Sequence, residues 1–260
     1  MNCKICGHNT QVLFSKKILY KYDVQYHQCD NCLFIQTDDP YWLDESYNSA
    51  INSSDIGLIS RNLVFTEEVT ALFRLSGLDS NKKYLDYGGG YGMFVRMMRD
   101  NGYNFYWSDE YCENIYAKKF EANDLPAKEQ KFEVVSAFEV FEHLPDPLKE
   151  IEKMLAYSDS ILFSTELSKG STQEIENWWY IAPTHGQHVA FYNKKTLEYL
   201  ASKFGLNLYT RKNLHFLTKK KISGWKYKLA TTFKLAKIYN TVSLPGSLLQ
   251  SDFELYLNSK

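Results

Sequence analysis

The chain has 260 residues, of which 44% are hydrophobic and 23% are charged, and its formal net charge at pH 7 is −1. This balance supports a sizeable hydrophobic core and argues against global disorder and against a general nucleic-acid binder. The first residues show no signal-peptide pattern, and no apolar run approaches the roughly 20 residues of a membrane-spanning helix. We therefore expect a cytoplasmic protein with reduced cysteines and no integral membrane segment.

Four of the five cysteines form two Cys-x-x-Cys pairs near the amino terminus, Cys3 with Cys6 and Cys29 with Cys32. Two such pairs can supply four thiolates to a tetrahedral Zn²⁺, which leaves no open coordination position and indicates a structural metal. Strand patterns lie between the pairs, at residues 12–14 and 24–26. We predict a zinc-ribbon-like module over residues 1–40, with two disulfides or four free buried thiols as alternatives.

Residues 41–62 connect this module with the rest of the chain. They are rich in aromatic and polar residues and show little periodicity. Segments of this kind often close over a ligand, so we expect either an active-site cover or a packed linker.

From residue 63 onward, helical and strand-like patterns alternate. The helical patterns are those of residues 65–73, 93–101, 147–155 and 194–204, and the strand patterns are those of residues 83–87, 104–108, 132–137, 161–165 and 253–257. This alternation predicts a Rossmann-like α/β fold with a mostly parallel sheet and an antiparallel last strand. We assign residues 63–260 to this domain, with residues 211–240 as a basic helical insertion.

A glycine-rich turn is the most informative feature of the chain. An apolar strand ends in Asp86, and Gly88, Gly90 and Gly92 then form a Gly-x-Gly-x-Gly turn before a helix. Glycines are needed there because a bulky ligand lies directly against the main chain. Asp109 ends the next strand, where a carboxylate can accept hydrogen bonds from ribose hydroxyls, as in sites for NAD.

Three features favour S-adenosylmethionine over NAD. Asp86 directly precedes the glycines, where it can meet the ammonium group of a ligand. The glycine spacing differs from the Gly-x-Gly-x-x-Gly that places a pyrophosphate at a helix amino terminus. The segment 137–147, which reads Ala-Phe-Glu-Val-Phe-Glu-His-Leu-Pro-Asp-Pro, is a methyltransferase signature.

On these motifs the chain resembles the class I S-adenosylmethionine-dependent methyltransferases. It is most similar to those with an amino-terminal Cys₄ zinc module that act in deoxysugar and surface-polysaccharide pathways, including capsule. The resemblance implies S-adenosylmethionine and structural Zn²⁺ as cofactors. It implies that Asp86, Gly88 and Gly90 hold the methionine end of the cofactor. Asp109 would hold the ribose. The methionyl and adenosyl side would be lined by Ala137, Phe138 and Glu139. Sugar carbon methyltransferases of this kind carry a further carboxy-terminal domain, which favours a hydroxyl acceptor here.

An alcohol acceptor requires a base with access to its proton. The segment 178–192 contains two histidines among aromatic residues, a composition suited to a sugar face and a hydroxyl proton. We predict His185 as the base and His188 as the second candidate; the alternative for His188 is a structural packing role. For His143 we expect a structural hydrogen bond.

The sequence thus predicts methyl transfer to a hydroxyl of a small acceptor, a sugar or an activated precursor of a surface polysaccharide. The alternatives are carbon or nitrogen methylation of a nucleotide-linked sugar, methylation of another phosphorylated metabolite, and a non-catalytic module in which the zinc unit recruits a partner. Residues 211–237 are rich in lysine. They form either a solvated helix or dimer contact, or an electropositive wall for a phosphorylated acceptor.

Overall fold

The computed structural model describes residues 1–47, 56–242 and 244–258. The chain divides into two compact units: unit 1 comprises Met1–Asn52, Phe138–Ala156 and Leu162–Lys219, and unit 2 comprises Ser53–Ala137, Tyr157–Ile161 and Lys220–Lys260. Residues 48–55, which belong to the segment that we expect to be a linker or cover, lie outside the described residues. No helix in the described part of the chain has the length and apolar character that a bilayer crossing requires.

The described residues contain strands, α-helices and four short 3-10 turns. The strands are β1 (Thr10–Ile18), β2 (Tyr22–Cys29), β3 (Ile35–Thr37), β4 (Lys83–Tyr87), β5 (Asn104–Ser108), β6 (Val135–Ala137), β7 (Ser160–Ser164), β8 (Ala190–Phe191), β9 (Asn207–Arg211) and β10 (Leu214–Thr218). The α-helices are α1 (Leu43–Ser46), α2 (Leu58–Ser76), α3 (Met93–Asp100), α4 (Pro147–Tyr157), α5 (Thr172–Glu176), α6 (Lys194–Phe204), α7 (Gly224–Ala230), α8 (Phe233–Asn240) and α9 (Leu249–Leu257). The 3-10 turns are Ala122–Asp124, Ala127–Glu129, Phe141–His143 and Trp179–Ile181.

Unit 1 contains a four-stranded antiparallel sheet in the order β1-β2-β3-β8. The strands predicted at residues 12–14 and 24–26 are the central parts of the longer β1 and β2. The short strand β8 joins them because Phe191 pairs with Ile35 in β3, and the Phe191 side chain is fully buried among aromatic neighbours. The segment that carries His185 and His188 ends directly before β8. The pairing of β8 with β3 therefore fixes the carboxy-terminal end of this segment.

A six-stranded sheet has the order β5-β4-β6-β7-β10-β9. Strand β4 pairs in parallel with both β5 and β6, and β9 pairs antiparallel with β10. The fold is therefore the Rossmann-like α/β fold that the sequence predicts, with a mostly parallel sheet. Because β4 and β5 run in the same direction, Asp86 and Asp109 lie at the same edge of the sheet.

The strand predicted at residues 253–257 is wrong, because these residues belong to helix α9. Within the sheet, the antiparallel pairing that the structure shows is that of β9 with β10. Alternating hydrophobic residues suggest a half-buried strand, yet the three of this run are about half exposed, at 56% for Phe253, 46% for Leu255 and 55% for Leu257. What fixes the helix is its buried Asp252, whose carboxylate accepts hydrogen bonds of 2.8 and 2.6 Å from the Arg99 guanidinium.

The lysine-rich segment does not form the single amphipathic helix that its pattern suggests. Its first residues belong to the sheet, since Arg211 ends β9 and Leu214–Thr218 form the buried strand β10. The rest forms α7 and α8, which pack against α2 within unit 2 and are separated by Thr231 and Thr232. The two threonine hydroxyls donate hydrogen bonds of 2.7 and 2.6 Å to the carbonyls of Tyr227 and Lys228. Such local bonds compete with a continuous helix, which explains the break.

Candidate active site

The glycine turn of unit 2 presents bare main chain directly after β4. Gly88, Gly90 and Gly92 all have positive φ angles, of 70°, 53° and 81°. A Cβ added at Gly89 would lie 2.7 Å from Cδ1 of Trp107. The turn therefore excludes side chains both by its torsions and by its contacts, which is what the close approach of a ligand to the backbone requires.

Asp86 is a buried acid at the end of β4, and it is 3% exposed. The Ser136 hydroxyl donates a hydrogen bond of 2.6 Å to its Oδ1. Burial raises the pKa of Asp86 to about 7; the Ser136 hydrogen bond opposes this rise and the charge of Asp109 adds to it. A cation placed beside this carboxyl would favour its ionised form, so the site is suited to an ammonium group.

Asp109 holds the glycine turn from the neighbouring strand. The amide of Gly90 donates to its Oδ2 over 2.9 Å, and the amides of Tyr111 and Cys112 donate to its Oδ1 over 2.7 and 2.9 Å. The Trp107 indole donates to the Gly90 carbonyl over 2.8 Å. Because a carboxylate oxygen can accept more than one hydrogen bond, Asp109 can position the turn and still accept one from a sugar hydroxyl.

The chain continues from β6 through Ala137, which is buried in unit 2, into Phe138 and Glu139 of unit 1. Glu139 has a φ of 55°, an unfavourable backbone conformation for a residue with a side chain. Ser164 stabilises it, since the Ser164 hydroxyl accepts a hydrogen bond of 2.8 Å from the Glu139 amide and donates one of 2.6 Å to Glu139 Oε1. Strained residues of this kind cluster at functional sites.

Two histidine rings meet in unit 1. The His143 and His188 ring centres are 4.9 Å apart, with the rings nearly perpendicular. Nδ1 of His143 lies 3.2 Å from the Gln187 carbonyl oxygen, and Nδ1 of His188 lies 2.6 Å from the Tyr180 carbonyl oxygen. A carbonyl oxygen only accepts hydrogen bonds, so both Nδ1 atoms carry the proton and both Nε2 atoms hold a lone pair.

Burial keeps both rings neutral. It lowers the pKa of His143 to about 3 and the pKa of His188 to about 4. A positive charge on His188 would lower the pKa of His143 further. A positive charge on His185 would likewise lower the pKa of His188. The three histidines are thus electrostatic neighbours within unit 1. We expected only a structural hydrogen bond for His143, and the structure adds the ring contact with His188.

Glu142 adjoins these histidines, and the sequence reasoning did not single it out. It is 1% exposed, and among the described residues its Oε2 has no hydrogen-bond partner. Burial raises the pKa of Glu142 to about 8, and the charge of Glu139 adds to the rise. A signal was present in the sequence, because Glu142 directly precedes His143 within the methyltransferase signature.

The four amino-terminal cysteines come together in unit 1, with their Sγ atoms within 4.8 Å of one another. The shortest separations are 3.6 Å between Cys3 and Cys32 and 3.3 Å between Cys6 and Cys29. Tetrahedral coordination with Zn–S bonds of about 2.3 Å places sulfur atoms about 3.8 Å apart. The amides of Asn31 and Cys32 both donate to Cys29 Sγ over 3.4 Å. The four sulfur donors therefore fit Zn²⁺.

A strand-ending acid, a glycine-rich turn and a second acid on the neighbouring strand have the arrangement expected of a nucleoside-binding site in a Rossmann-like fold. A model of the methyltransferase domain matches residues 62–211, more than half of the chain. The chain belongs to the methyltransferase domain family. It is an S-adenosylmethionine-dependent methyltransferase.

Solved structures resemble the chain at low sequence identity. The plantazolicin methyltransferase BpumL, in complex with a monoazolic desmethylPZN analog and SAH, is 11% identical, with a TM-score of 0.50 over 79% of this chain and 92% of that chain. An O-methyltransferase family protein from Burkholderia thailandensis is also 11% identical, with a TM-score of 0.47 over 70% of this chain and 63% of that chain. No curated protein sequence matches the chain.

Proposed function

We propose that this enzyme transfers a methyl group from S-adenosylmethionine to a hydroxyl of a small acceptor, a sugar or an activated precursor of a surface polysaccharide. The observation that carries the hydroxyl acceptor is the group of histidines that unit 1 brings together, His143, His185 and His188. An alcohol must lose its proton during methyl transfer, and a neutral histidine with a lone pair is a common proton acceptor. The sugar rests on the family resemblance together with the aromatic residues around these histidines.

The proposed cofactor contacts come from the glycine turn and from residues at the carboxyl ends of β4, β5 and β6. Asp86 would pair with the ammonium group, the main chain of Gly88 and Gly90 would lie against the methionine end, and Asp109 would accept from the ribose. Ala137, Phe138 and Glu139 would line the methionyl and adenosyl side. When bound, the cofactor supplies an electrophilic methyl on its sulfonium, and the protein supplies alignment and a base.

We propose His185 as the base, with His188 as the second candidate. His185 is half-buried and near enough to His188 to act on its pKa. His188 has its lone pair on Nε2 because Nδ1 is bonded to the Tyr180 carbonyl oxygen. Either ring could take the hydroxyl proton as the acceptor oxygen attacks the methyl carbon.

The acceptor surface would include aromatic rings next to these histidines. Tyr180 is only 2% exposed and its ring lies 4.6 Å from that of His188, so it supports the histidine from behind. The neighbouring Trp179 is 73% exposed. Flat apolar rings beside polar groups suit the alternating apolar and hydroxyl surfaces of a sugar.

The Cys₄ cluster would hold a structural Zn²⁺ because all four donors are taken up in one tetrahedral shell. Thiols persist as ligands only where they stay reduced, so we propose a cytoplasmic enzyme.

The test is transfer of labelled methyl from S-adenosylmethionine to a panel of nucleotide sugars, free sugars and phosphorylated metabolites. Each active acceptor is compared with its matched deoxy analogues, and the product is examined by NMR. We expect a methyl ether, and we expect transfer to stop when one particular hydroxyl is missing. A methyl group on carbon or nitrogen, or an unchanged rate with every deoxy analogue, would rule out the hydroxyl acceptor.

A further inference from the structure

We propose that Glu142, His143 and His188 bind a divalent transition-metal ion at a second metal site, separate from the Cys₄ cluster. Both sites lie within unit 1. The second site offers two imidazole nitrogens and one carboxylate oxygen, where the first offers four sulfurs. Three observations support this site: the ligand atoms converge, the two rings are each held by a backbone carbonyl, and one buried oxygen has no partner among the described residues.

One ligand atom from each of the three residues lies within 4.8 Å of the others. Bonds of about 2.1 Å to a tetrahedral ion place nitrogen and oxygen ligands about 3.4 Å apart, so small side-chain rotations would complete the site. Two histidines with one carboxylate are a common ligand set for Zn²⁺ and for non-haem Fe²⁺. The donor types therefore select a first-row transition metal over Ca²⁺ or Mg²⁺, which prefer oxygen ligands.

The backbone holds both rings in the orientation that metal-bound histidines have. A histidine ligand usually donates its other N–H to a carbonyl or carboxylate, which fixes its tautomer and its direction. His143 does so to the Gln187 carbonyl and His188 to the Tyr180 carbonyl. Buried His215 provides a contrast, because its Nδ1 is bonded to Thr210 and its Nε2 to the Thr165 carbonyl, so neither nitrogen is available to an ion.

Glu142 supplies the observation that points most directly to an ion. It is 1% exposed, and its Oε2 has no hydrogen-bond partner among the residues that the structure describes. A buried polar atom without a partner is unfavourable, and a bound cation would satisfy it. The amide of Val189 donates to the Glu142 carbonyl over 2.8 Å, which fixes the backbone of Glu142 next to the segment that carries His188.

Three protein ligands leave at least one coordination position for water or another oxygen. The lone pair on His188 Nε2 cannot bind an ion and accept a proton at the same time. If the proposed function is correct, a metal-loaded enzyme therefore keeps His185 as its base and uses His188 as a ligand. The metal site itself does not depend on that reaction, since it can be measured without substrate.

The test uses the full chain, stripped of metal with a chelator and then reconstituted with Co²⁺ alone. The readouts are elemental analysis and the electronic spectrum, in which thiolate ligands give intense near-ultraviolet charge-transfer bands and nitrogen or oxygen ligands do not. We expect two Co²⁺ ions per chain, one with a thiolate spectrum and one with only weaker visible bands. One ion per chain with only the thiolate spectrum would overturn the proposal.

Variants then assign the second ion. Glu142→Gln and His188→Gln should each lower the content from two ions to one and leave the thiolate bands intact, and Cys32→Ser should remove those bands and leave the other ion. His185→Gln is the matched control and should keep two ions. Retention of two ions by both Glu142→Gln and His188→Gln would also overturn the proposal.

A variant that does not fold is replaced by competition on the wild-type chain, in which Zn²⁺ should displace both Co²⁺ ions. Calorimetry with S-adenosylhomocysteine monitors cofactor binding separately.

Discussion

Ser136 donates a hydrogen bond of 2.6 Å to the carboxyl of Asp86, and the two residues lie directly opposite each other on the parallel strands β6 and β4. The register of the sheet thus orients a buried acid at the point where the chain turns into the glycines. The hydroxyl favours the ionised carboxylate, but burial outweighs it and raises the pKa of Asp86 to about 7. Asp86 is therefore an acid that a bound cation can switch to its charged form.

Cofactor affinity should depend on pH through Asp86. In the proposed site the ammonium group of the cofactor would pair with the ionised carboxylate, which dominates above pH 7 and is lost as the pH falls below that value. We expect the Kd for S-adenosylhomocysteine to rise by up to tenfold per pH unit below pH 7 and to be flat just above it, as measured by calorimetry. Asp86→Asn should bind more weakly at pH 8 and lose this dependence; a wild-type Kd that is constant from pH 5.5 to 8 would contradict the assignment.

The glycine turn should not accept even a methyl group. Gly92 has a φ of 81°, and an added Cβ would lie 2.5 Å from Asn114 Oδ1. Gly77 is a matched control, since its φ of 68° is similar and no atom lies within 4 Å of an added Cβ. Gly77→Ala should lose about 1–2 kcal/mol of unfolding free energy from backbone strain, and Gly92→Ala should lose more because its Cβ also meets Asn114. Only Gly92→Ala should also lose cofactor affinity, and equal affinities in the two variants would argue against a ligand at the turn.

Removal of the proposed structural Zn²⁺ should destabilise the protein. Zinc bound by four thiolates contributes directly to folding, so chelation at pH 7 should lower the Tm of unit 1 by several degrees, as seen by calorimetric scanning. Cys29→Ser should have the same effect and lose the ion. Cys112→Ser, which lies outside the cluster, is the control and should keep both its metal and its Tm.

Loss of the proposed base should slow turnover without weakening cofactor binding. A general base typically contributes a factor of about 10²–10⁴ in rate, so His185→Gln should lower kcat by that amount and leave the Kd for S-adenosylhomocysteine unchanged. His188→Gln should also lower kcat, whether the ring is a base or a ligand. The exposed His8→Gln is the control. Wild-type turnover in both the His185 and His188 variants would move the base elsewhere.

Helix α9 should depend on Asp252. Its buried carboxylate pairs with Arg99 at 2.6 Å and with Arg96 at 2.8 Å, so Asp252→Asn would leave buried guanidinium charge without its partner. Loss of one member of a buried ion pair typically costs about 3–5 kcal/mol, which urea unfolding can measure. The exposed Gln250→Asp should change stability by less than about 0.5 kcal/mol. A similar small effect for Asp252→Asn would show that this ion pair does not hold the helix.

The central part of the fold could be predicted because its signals are local. The glycines and the strand before them mark β4 and the start of α3, and Asn193 and Gly205 bound α6 as its caps. The four cysteines converge as their spacing suggests. In each case a few adjacent residues contain the whole pattern, so no knowledge of distant contacts is needed.

The features that the sequence did not predict depend on contacts between residues that are distant in sequence. The two-residue strand β8 exists only because β3 pairs with it, and α9 is fixed by an arginine that lies about 150 residues earlier. The convergence of Glu142 with His188 likewise depends on the tertiary fold. Periodicity cannot reveal such contacts, which explains why residues 253–257 were predicted as a strand and why Glu142 was missed.

We propose that Asp86, the glycine turn and Asp109 form one working cofactor site, and titration of the full chain with S-adenosylhomocysteine is the decisive experiment. We predict saturable binding of one molecule per chain at micromolar concentrations, with the heat signal lost in Gly92→Ala and retained in Gly77→Ala. Absence of any binding by the wild-type chain at millimolar concentrations would contradict the account.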